Sequence, residues 1–341
     1  MQLDNLINVL SDLFAVSGNE DAVRSFIINY ARDYSSEIKT DAIRNIYVFR
    51  KGYGDNKKNV MLCAHMDEVG LIISSFTPNG YLKFRVVGGI DTSVLLARRV
   101  FIGRKKVKGV IGIKAVHLTD KDERDKKPCV EDMYIDIGAE SAEEAMSLVN
   151  LGDYVSFDTT CGKFGNLLKG KAFDDRIGCF ILCELLKKQY YDDVTYCFTV
   201  QEETGLRGAS VAAYNLSADL CYVIEATVCL DLPEVTAEKS VTQIGYGPAI
   251  SISDKVTYAD KMLNGLFANS CTKFQYKKSG SGGNDAGSIH LNGIRTASVS
   301  IPSRYIHSPV SVVSPDDIDV CIKAFDRLLS KGVDFNDWYV K

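Results

Sequence analysis

Apolar residues at Leu3, Leu6, Ile7, Leu10, Leu13 and Phe14 recur with the spacing of one helical face, and Val23, Phe26, Ile27 and Tyr30 repeat it. The chain is therefore expected to open with two amphipathic helices. Apolar runs over 43–49 and 60–64 predict strands buried in a sheet. From about residue 70 to residue 157 the texture changes. Short strand patterns at 71–76, 81–87, 100–102, 107–113 and 134–137 are separated by Gly and polar breaks and by the Pro78-Asn79-Gly80 turn. This stretch predicts a small β domain, residues 67–157, inserted into a larger unit made of residues 1–66 and 158–341. Its one helix signal is Ser141 followed three residues later by Glu144, a capping-box pattern ahead of Ala145, Met146 and Leu148. Helices over 176–188, 209–214 and 316–329 then alternate with strands over 194–200 and 220–224. Such alternation implies a layered α/β domain.

Composition narrows the function classes. With 341 residues, 46% hydrophobic, 25% charged and a formal charge of -4, the chain has room for a sizeable buried site and no strong pull toward nucleic acid or anionic membrane. The basic residues Arg98, Arg99, Arg104, Lys105, Lys106 and Lys108 are interleaved with Val and Ile at strand spacing and read as a solvated face. The lysine-rich run 121–127 reads as a solvated loop. No apolar run reaches the roughly 18–20 residues needed to cross a bilayer, and the amino terminus has no cleavable signal pattern. The ten cysteines sit in apolar runs such as IGCFILCELL, and Cys179 and Cys183 read as packing residues, so reduced thiols and a cytoplasmic location are expected.

Chemistry concentrates in five strings: AHMDEVG, AFDDR, QEETG, VIEA and RYIHSP. They contain His65, Asp174, Glu203, Glu225 and His307, and the chain has only four histidines. His65 and Asp67 are two apart at a strand end, so both side chains leave the same side of the backbone and the acid can orient a metal-bound imidazole. Asp174 and Asp175 adjoin a helix start. A helix cap accounts for one acid, whereas a carboxylate bridging two cations roughly 3.5–4 Å apart, with its neighbour in support, accounts for both. Glu202 and Glu203, at the end of an apolar strand, would repel each other without a cation. One can ligate metal while the other takes a proton from water. Two consecutive acids do not face each other across a glycosidic bond, which speaks against a glycosidase. The run 279–288, bearing Asn284 and Asp285, lacks the Lys-Ser/Thr ending of a phosphate loop and reads either as a flexible turn or as a positioner of a substrate's polar groups.

Taken in order, AHMDEVG, YIDIGAESAEEA, GKAFDDR, TVQEETGLRGA, GGNDAG and RYIHSP resemble the M42 family of dinuclear metal aminopeptidases, the glutamyl or tetrahedral (TET) aminopeptidase group, over nearly the whole chain. The resemblance implies a three-layer αβα catalytic domain with a mixed sheet, interrupted by a PDZ-like β-barrel domain. It implies two divalent ions per subunit, zinc or cobalt, with His65, Asp174 and Glu225 holding one and Asp174, Glu203 and His307 the other. Asp67 would orient His65, and Glu202 would be the general base acting on a metal-bridged hydroxide. A cis peptide after Asp174 is implied as well, as are peptide substrates with a free amino terminus and dimers closing into a homododecamer. Two positions depart from the family pattern: Glu225 stands where Asp is usual, and Asn284 where Thr is usual. The rival expectations are an N-acyl amino acid deacylase or carboxypeptidase with the same metal core, and a non-catalytic module stapled by metal.

Overall fold

The computed structural model describes residues 3–115, 117, 127–236, 240–278 and 282–335. Helices α1 (Leu3–Asp12) and α2 (Asp21–Ala31) form where the periodicity places them, with Leu6, Ile7, Leu10, Val23 and Ile27 buried. Strands β1 (Ile38–Thr40), β2 (Ile46–Arg50) and β3 (Asn59–His65) follow. The strand expected over 43–49 begins only at Ile46. Asp41 accepts the Asn45 N–H at 2.9 Å, and Arg44 turns the chain with φ of 80°.

The next segment forms strands β4 (Gly70–Phe76), β5 (Leu82–Val87), β6 (Arg99–Ile102), β7 (Val107–Ile113) and β8 (Met133–Asp136), helix α3 (Ala142–Leu148) and strand β9 (Tyr154–Phe157). These strands close into an antiparallel barrel in the order β4-β5-β8-β7-β6-β9. Alternate residues such as Leu71, Ile73, Leu82, Phe84, Ile111 and Ile135 fill its interior as a core of its own. Helix α3 begins as the capping-box pattern requires: Ser141 Oγ accepts the Glu144 N–H at 3.2 Å, and Glu144 Oε2 accepts the Glu140 N–H at 2.9 Å. Ser141→Ala is expected to cost about 1 kcal/mol, read as a lowered urea midpoint, because one first-turn N–H loses its partner. An unchanged midpoint would show the cap to be inert.

The chain returns through β10 (Gly162–Phe164), β11 (Leu167–Gly170), α4 (Phe173–Leu186), β12 (Asp193–Thr199), α5 (Arg207–Asn215), β13 (Leu220–Val228), β14 (Ala249–Ser251), α6 (Lys261–Ser270), β15 (Gln275–Lys277), α7 (Ala286–His290), β16 (Arg295–Arg304), β17 (Ser311–Val313) and α8 (Pro315–Lys331). The main sheet is mixed and runs β1-β2-β12-β3-β13-β16-β17-β11-β10. Its centre, β12-β3-β13-β16, is parallel. The period of two along β3 separates its faces. Val60, Leu62 and Ala64 pack with α4 and α8, whereas Met61 and Cys63 pack with Ala209 and Ala212 of α5 and Ala286 and Ile289 of α7. Helices therefore cover both faces, giving the three-layer α/β unit and barrel that the sequence leads one to expect.

Helix α6 was not anticipated, although its signals are local: Asp260 accepts the N–H groups of Met262 and Leu263 at 2.9 and 3.3 Å, and Leu263 and Phe267 are buried. Cys179 and Cys183 are fully buried on α4, and all ten cysteines are free thiols. Among the described residues no helix is long and apolar enough to cross a membrane. Of the lysine-rich run only Lys127 lies within the described residues, paired with Asp91 at 2.9 Å.

Candidate metal centre

Parallel strands bring their carboxyl ends to one edge of the sheet, where α/β folds place ligands. His65 ends β3, Glu202 and Glu203 follow β12, Glu225 lies within β13, three residues before its end, and His307 follows β16 by three residues. Asp174 enters from the start of α4. Three loops around the site hold non-glycine residues in the left-handed region, Ala172 (φ 54°), Gln201 (φ 56°) and His307 itself (φ 55°). Each costs on the order of 1–3 kcal/mol and persists because the surrounding packing holds it. The Asp174–Asp175 peptide is cis.

Asp174 lies between two imidazoles, with His65 Nε2 at 3.3 Å from Oδ1 and His307 Nε2 at 3.1 Å from Oδ2. Glu203 Oε1 is 3.3 Å from His307 Nε2. Asp174, Glu203 and His307 each offer a ligand atom, and those atoms lie within 4.8 Å of one another. His65 reaches the same Asp174 from the other side.

Glu225 is held differently. Its Oε1 accepts Asn284 Nδ2 at 2.8 Å, Ser300 Oγ at 3.0 Å and Ser298 Oγ at 3.1 Å, and Lys277 Nζ stands 3.9 Å away. It is not part of the three-residue group. Asn284, the departure noted in the glycine-rich run, thus reaches the other departure, Glu225. Asp285 turns inward, accepting Thr199 Oγ1 at 2.6 Å beneath the sheet end. It is almost completely buried. Ser279 to Ser281 of that run lie outside the described residues.

The residue pairs divide their labour by position. Asp175 caps and ties: it accepts the Gly178 N–H at 2.9 Å and the His65 N–H at 3.2 Å. Asp67 stands 3.4 Å from His65 Nδ1, and its two oxygens accept the N–H groups of Glu202 and Glu203 at 3.0 and 3.1 Å. Strand β12 ends at Thr199, so Glu202 and Glu203 are aimed by the Gln201 turn and by Asp67, not by strand alternation. Glu20 and Asn45, which carried no local signal, pin the same turn: Glu20 Oε1 accepts the Gln201 N–H at 3.3 Å and Asn45 Oδ1 the Val200 N–H at 3.0 Å. The barrel supplies Gly88 and Gly89. At Gly88, with φ of 82°, a Cβ would stand 2.8 Å from Val69 Cγ1 and 3.3 Å from Glu203 Cβ, so a glycine is required where this loop passes Glu203, and Gly89 lies beside His307.

The electrostatics are those of an acidic, half-dry cluster. Burial raises Glu203 to about 8, against the pull of His307 and with the push of Asp174. Burial also raises Glu225 to about 7, with Lys277 opposing and Asp174 adding. Glu202 rises well above the usual range through burial, with His65 opposing and Asp285, Glu203 and Asp174 adding. Burial works against a charged His307, yet Asp174 and Glu203 outweigh it and raise the ring to about 9. Burial likewise works against charge on Asp174, and the two imidazoles hold it well below the usual carboxylate range. The donor set fits a divalent cation: mixed imidazole and carboxylate ligands suit borderline transition ions, and the buried Glu203 Oε1 has no hydrogen-bond partner among the described residues.

A mixed α/β sheet ending in clustered acids and imidazoles, with a barrel loop pressed against them, defines a hydrolase of the metal-dependent peptidase class. The chain belongs to the M42 glutamyl aminopeptidase family, whose model matches residues 44–324, and its activity is that of an aminopeptidase. A relative from Acetivibrio thermocellus is 36% identical over 327 residues, 94% of this chain and 96% of its own. The TET aminopeptidase of the marine sediment archaeon Thaumarchaeota archaeon SCGC AB-539-E09 superposes with a TM-score of 0.92 at 32% identity, over 97% of this chain and 96% of that one. The Pyrococcus horikoshii TET1 peptidase, which can assemble into a tetrahedron or a large octahedral shell, has a TM-score of 0.86 at 30% identity, over 96% and 99%.

Proposed function

We propose that the chain removes amino-terminal residues from peptides with the help of two divalent cations, Zn2+ or Co2+, held by Asp174, Glu203 and His307 on one side and by His65, Asp174 and Glu225 on the other. The observation that carries this reading is the convergence of Asp174, Glu203 and His307 within 4.8 Å, with Glu203 Oε1 buried and without a hydrogen-bond partner among the described residues. Bound divalent ions would supply a shared water of lowered pKa and polarise the scissile carbonyl. Glu202 takes the proton from the attacking water and returns it to the leaving amine. Asp67 holds the Glu202 and Glu203 backbone and the His65 ring, so proton acceptor and ligands keep one relative placement. The barrel, residues 67–157, is proposed as a separate unit that limits access through Gly88 and Gly89 and mediates assembly. By analogy with the tetrahedral shell of the Pyrococcus horikoshii TET1 peptidase, dimers would close into a homododecamer. The ten free thiols favour a reducing compartment, the cytoplasm.

Metal content measured together with turnover of aminoacyl-anilides and their N-acetylated counterparts tests the reading. Metal-dependent cleavage of the free-amine compounds is the expected result. Preference for the blocked compounds would replace it with a deacylase, and activity unaffected by chelation would end the metal assignment. Chelation is also expected to lower the thermal midpoint, because an ion present at a hundredfold excess over its Kd stabilises by about 2.7 kcal/mol. Restoring Co2+ or Zn2+ recovers the midpoint.

A further inference from the structure

The two halves of the site differ in how their carboxylates are already satisfied. Glu203 Oε1 is buried without a hydrogen-bond partner among the described residues. Asp174 Oδ1 and Oδ2 face the imidazoles of His65 and His307. Glu225 Oε1, by contrast, accepts three side-chain donors at 2.8–3.1 Å. A carboxylate oxygen offers about two lone-pair positions, so this oxygen has none left for an ion. Asn284 is itself fixed, its Oδ1 accepting the Ala286 N–H at 2.9 Å, and Ser298 and Ser300 are built into β16 alongside β13.

The fourth neighbour is a cation. Lys277, the last residue of β15, places its Nζ 3.9 Å from Glu225 Oε1, and both side chains are largely buried, 15% and 9% exposed. An ammonium there neutralises Glu225 as a metal would and repels any ion approaching the remaining Glu225 oxygen. The repulsion is strong because a half-dry site screens poorly. Counted over Asp174, Glu203 and Glu225, three negative charges are balanced by one divalent ion and one ammonium. A second divalent ion overshoots by two charges, so balance then requires that the ammonium withdraw and a further anion enter.

We infer that Lys277 is a resident counter-charge for Glu225, so that each chain holds one divalent ion firmly through Asp174, Glu203 and His307 and admits a second on the His65–Glu225 side only by displacing Lys277. This rests on the proposed metal-dependent function and gives its two positions unequal standing. The balanced pair also accounts for the serine and asparagine donors around Glu225, which stabilise a carboxylate that an ion does not permanently occupy.

Loading the full chain with excess Co2+, dialysing exhaustively and counting metal per chain by mass spectrometry tests the inference without reference to turnover. Wild type is expected to retain one ion, and calorimetric titration with Co2+ to show a second step at least roughly 100-fold weaker. Lys277→Met is expected to retain close to two ions and to tighten the second step by roughly tenfold or more, whereas Lys277→Arg, which keeps the charge, behaves as wild type. His307→Ala should lose the retained ion, and His65→Ala should keep it. Two ions retained by wild type, the reverse pattern for the histidine variants, or a Lys277→Met protein indistinguishable from wild type overturns the inference while leaving a metal-dependent aminopeptidase intact. A wild type that binds no Co2+ overturns both readings together.

Discussion

Glu202→Gln is expected to lower kcat by about 100- to 10,000-fold with aminoacyl-anilide substrates, while metal content and KM stay near their wild-type values. The size follows from the loss of a positioned proton acceptor, and the selectivity follows from what the side chain touches. Glu202 feels His65, Asp285, Glu203 and Asp174 through charge but is not part of the group of ligand atoms, so its amide leaves the cation position whole. Its backbone N–H remains tied to Asp67 Oδ1, which the substitution does not alter. Glu203→Gln is the contrasting variant. It removes an oxygen that stands 3.3 Å from His307 Nε2, and its loss of activity should come with loss of metal. Turnover of Glu202→Gln near wild type with metal still bound would remove Glu202 from the proton path.

Legibility in the sequence followed the range of the interaction. The faces of α1 and α2, the buried strand β3 and the barrel strands are written in periods of 3.6 and 2, because burial of Leu6, Leu10, Ile27, Leu62 or Ile111 is a local consequence of pattern. The candidate site residues stood out because paired acids beside histidines are costly anywhere except where a cation or a proton is handled. What pattern could not supply are the partners brought from afar. Asn45 and Glu20 reach the Val200–Gln201 turn across 155 and 181 residues, and Gly88 of the barrel meets Glu203. The surroundings of Glu225 were hidden for the same reason, since Asn284, Ser298, Ser300 and Lys277 come from a loop and two other strands. Arg176 is the clearest case. It stands next to Asp174 and Asp175 at a helix start with no local pattern that marks it for burial, yet it is completely buried.

That burial makes Arg176→Ala the largest expected stability effect, about 3–5 kcal/mol by urea unfolding, against no more than about 1 kcal/mol for Arg24→Ala in the partly exposed pair with Asp21. Arg176 donates to Met66 O at 2.8 Å, Leu10 O at 2.7 Å, Leu13 O at 3.1 Å and Ala15 O at 3.4 Å. Removing the guanidinium leaves the Met66 and Leu10 carbonyls to find other partners in a dry interior, whereas Leu13 O keeps Lys171 Nζ at 2.8 Å and Ala15 O keeps the Glu68 N–H at 3.0 Å. It also withdraws a charge 3.6 Å from Glu68, whose Oε1 takes Lys171 Nζ at 2.8 Å, the Ala15 N–H at 3.0 Å and Ser156 Oγ of the barrel at 3.3 Å. Arg176→Lys should recover less than half of the loss, because a single ammonium cannot span carbonyls on three sides of a planar fork. The variant should also slow turnover, since Met66, held by Arg176 Nε, lies between His65 and Asp67. An Arg176→Ala protein as stable as Arg24→Ala would show that this buried cluster contributes nothing to joining the amino-terminal helix, the end of β3 and the barrel.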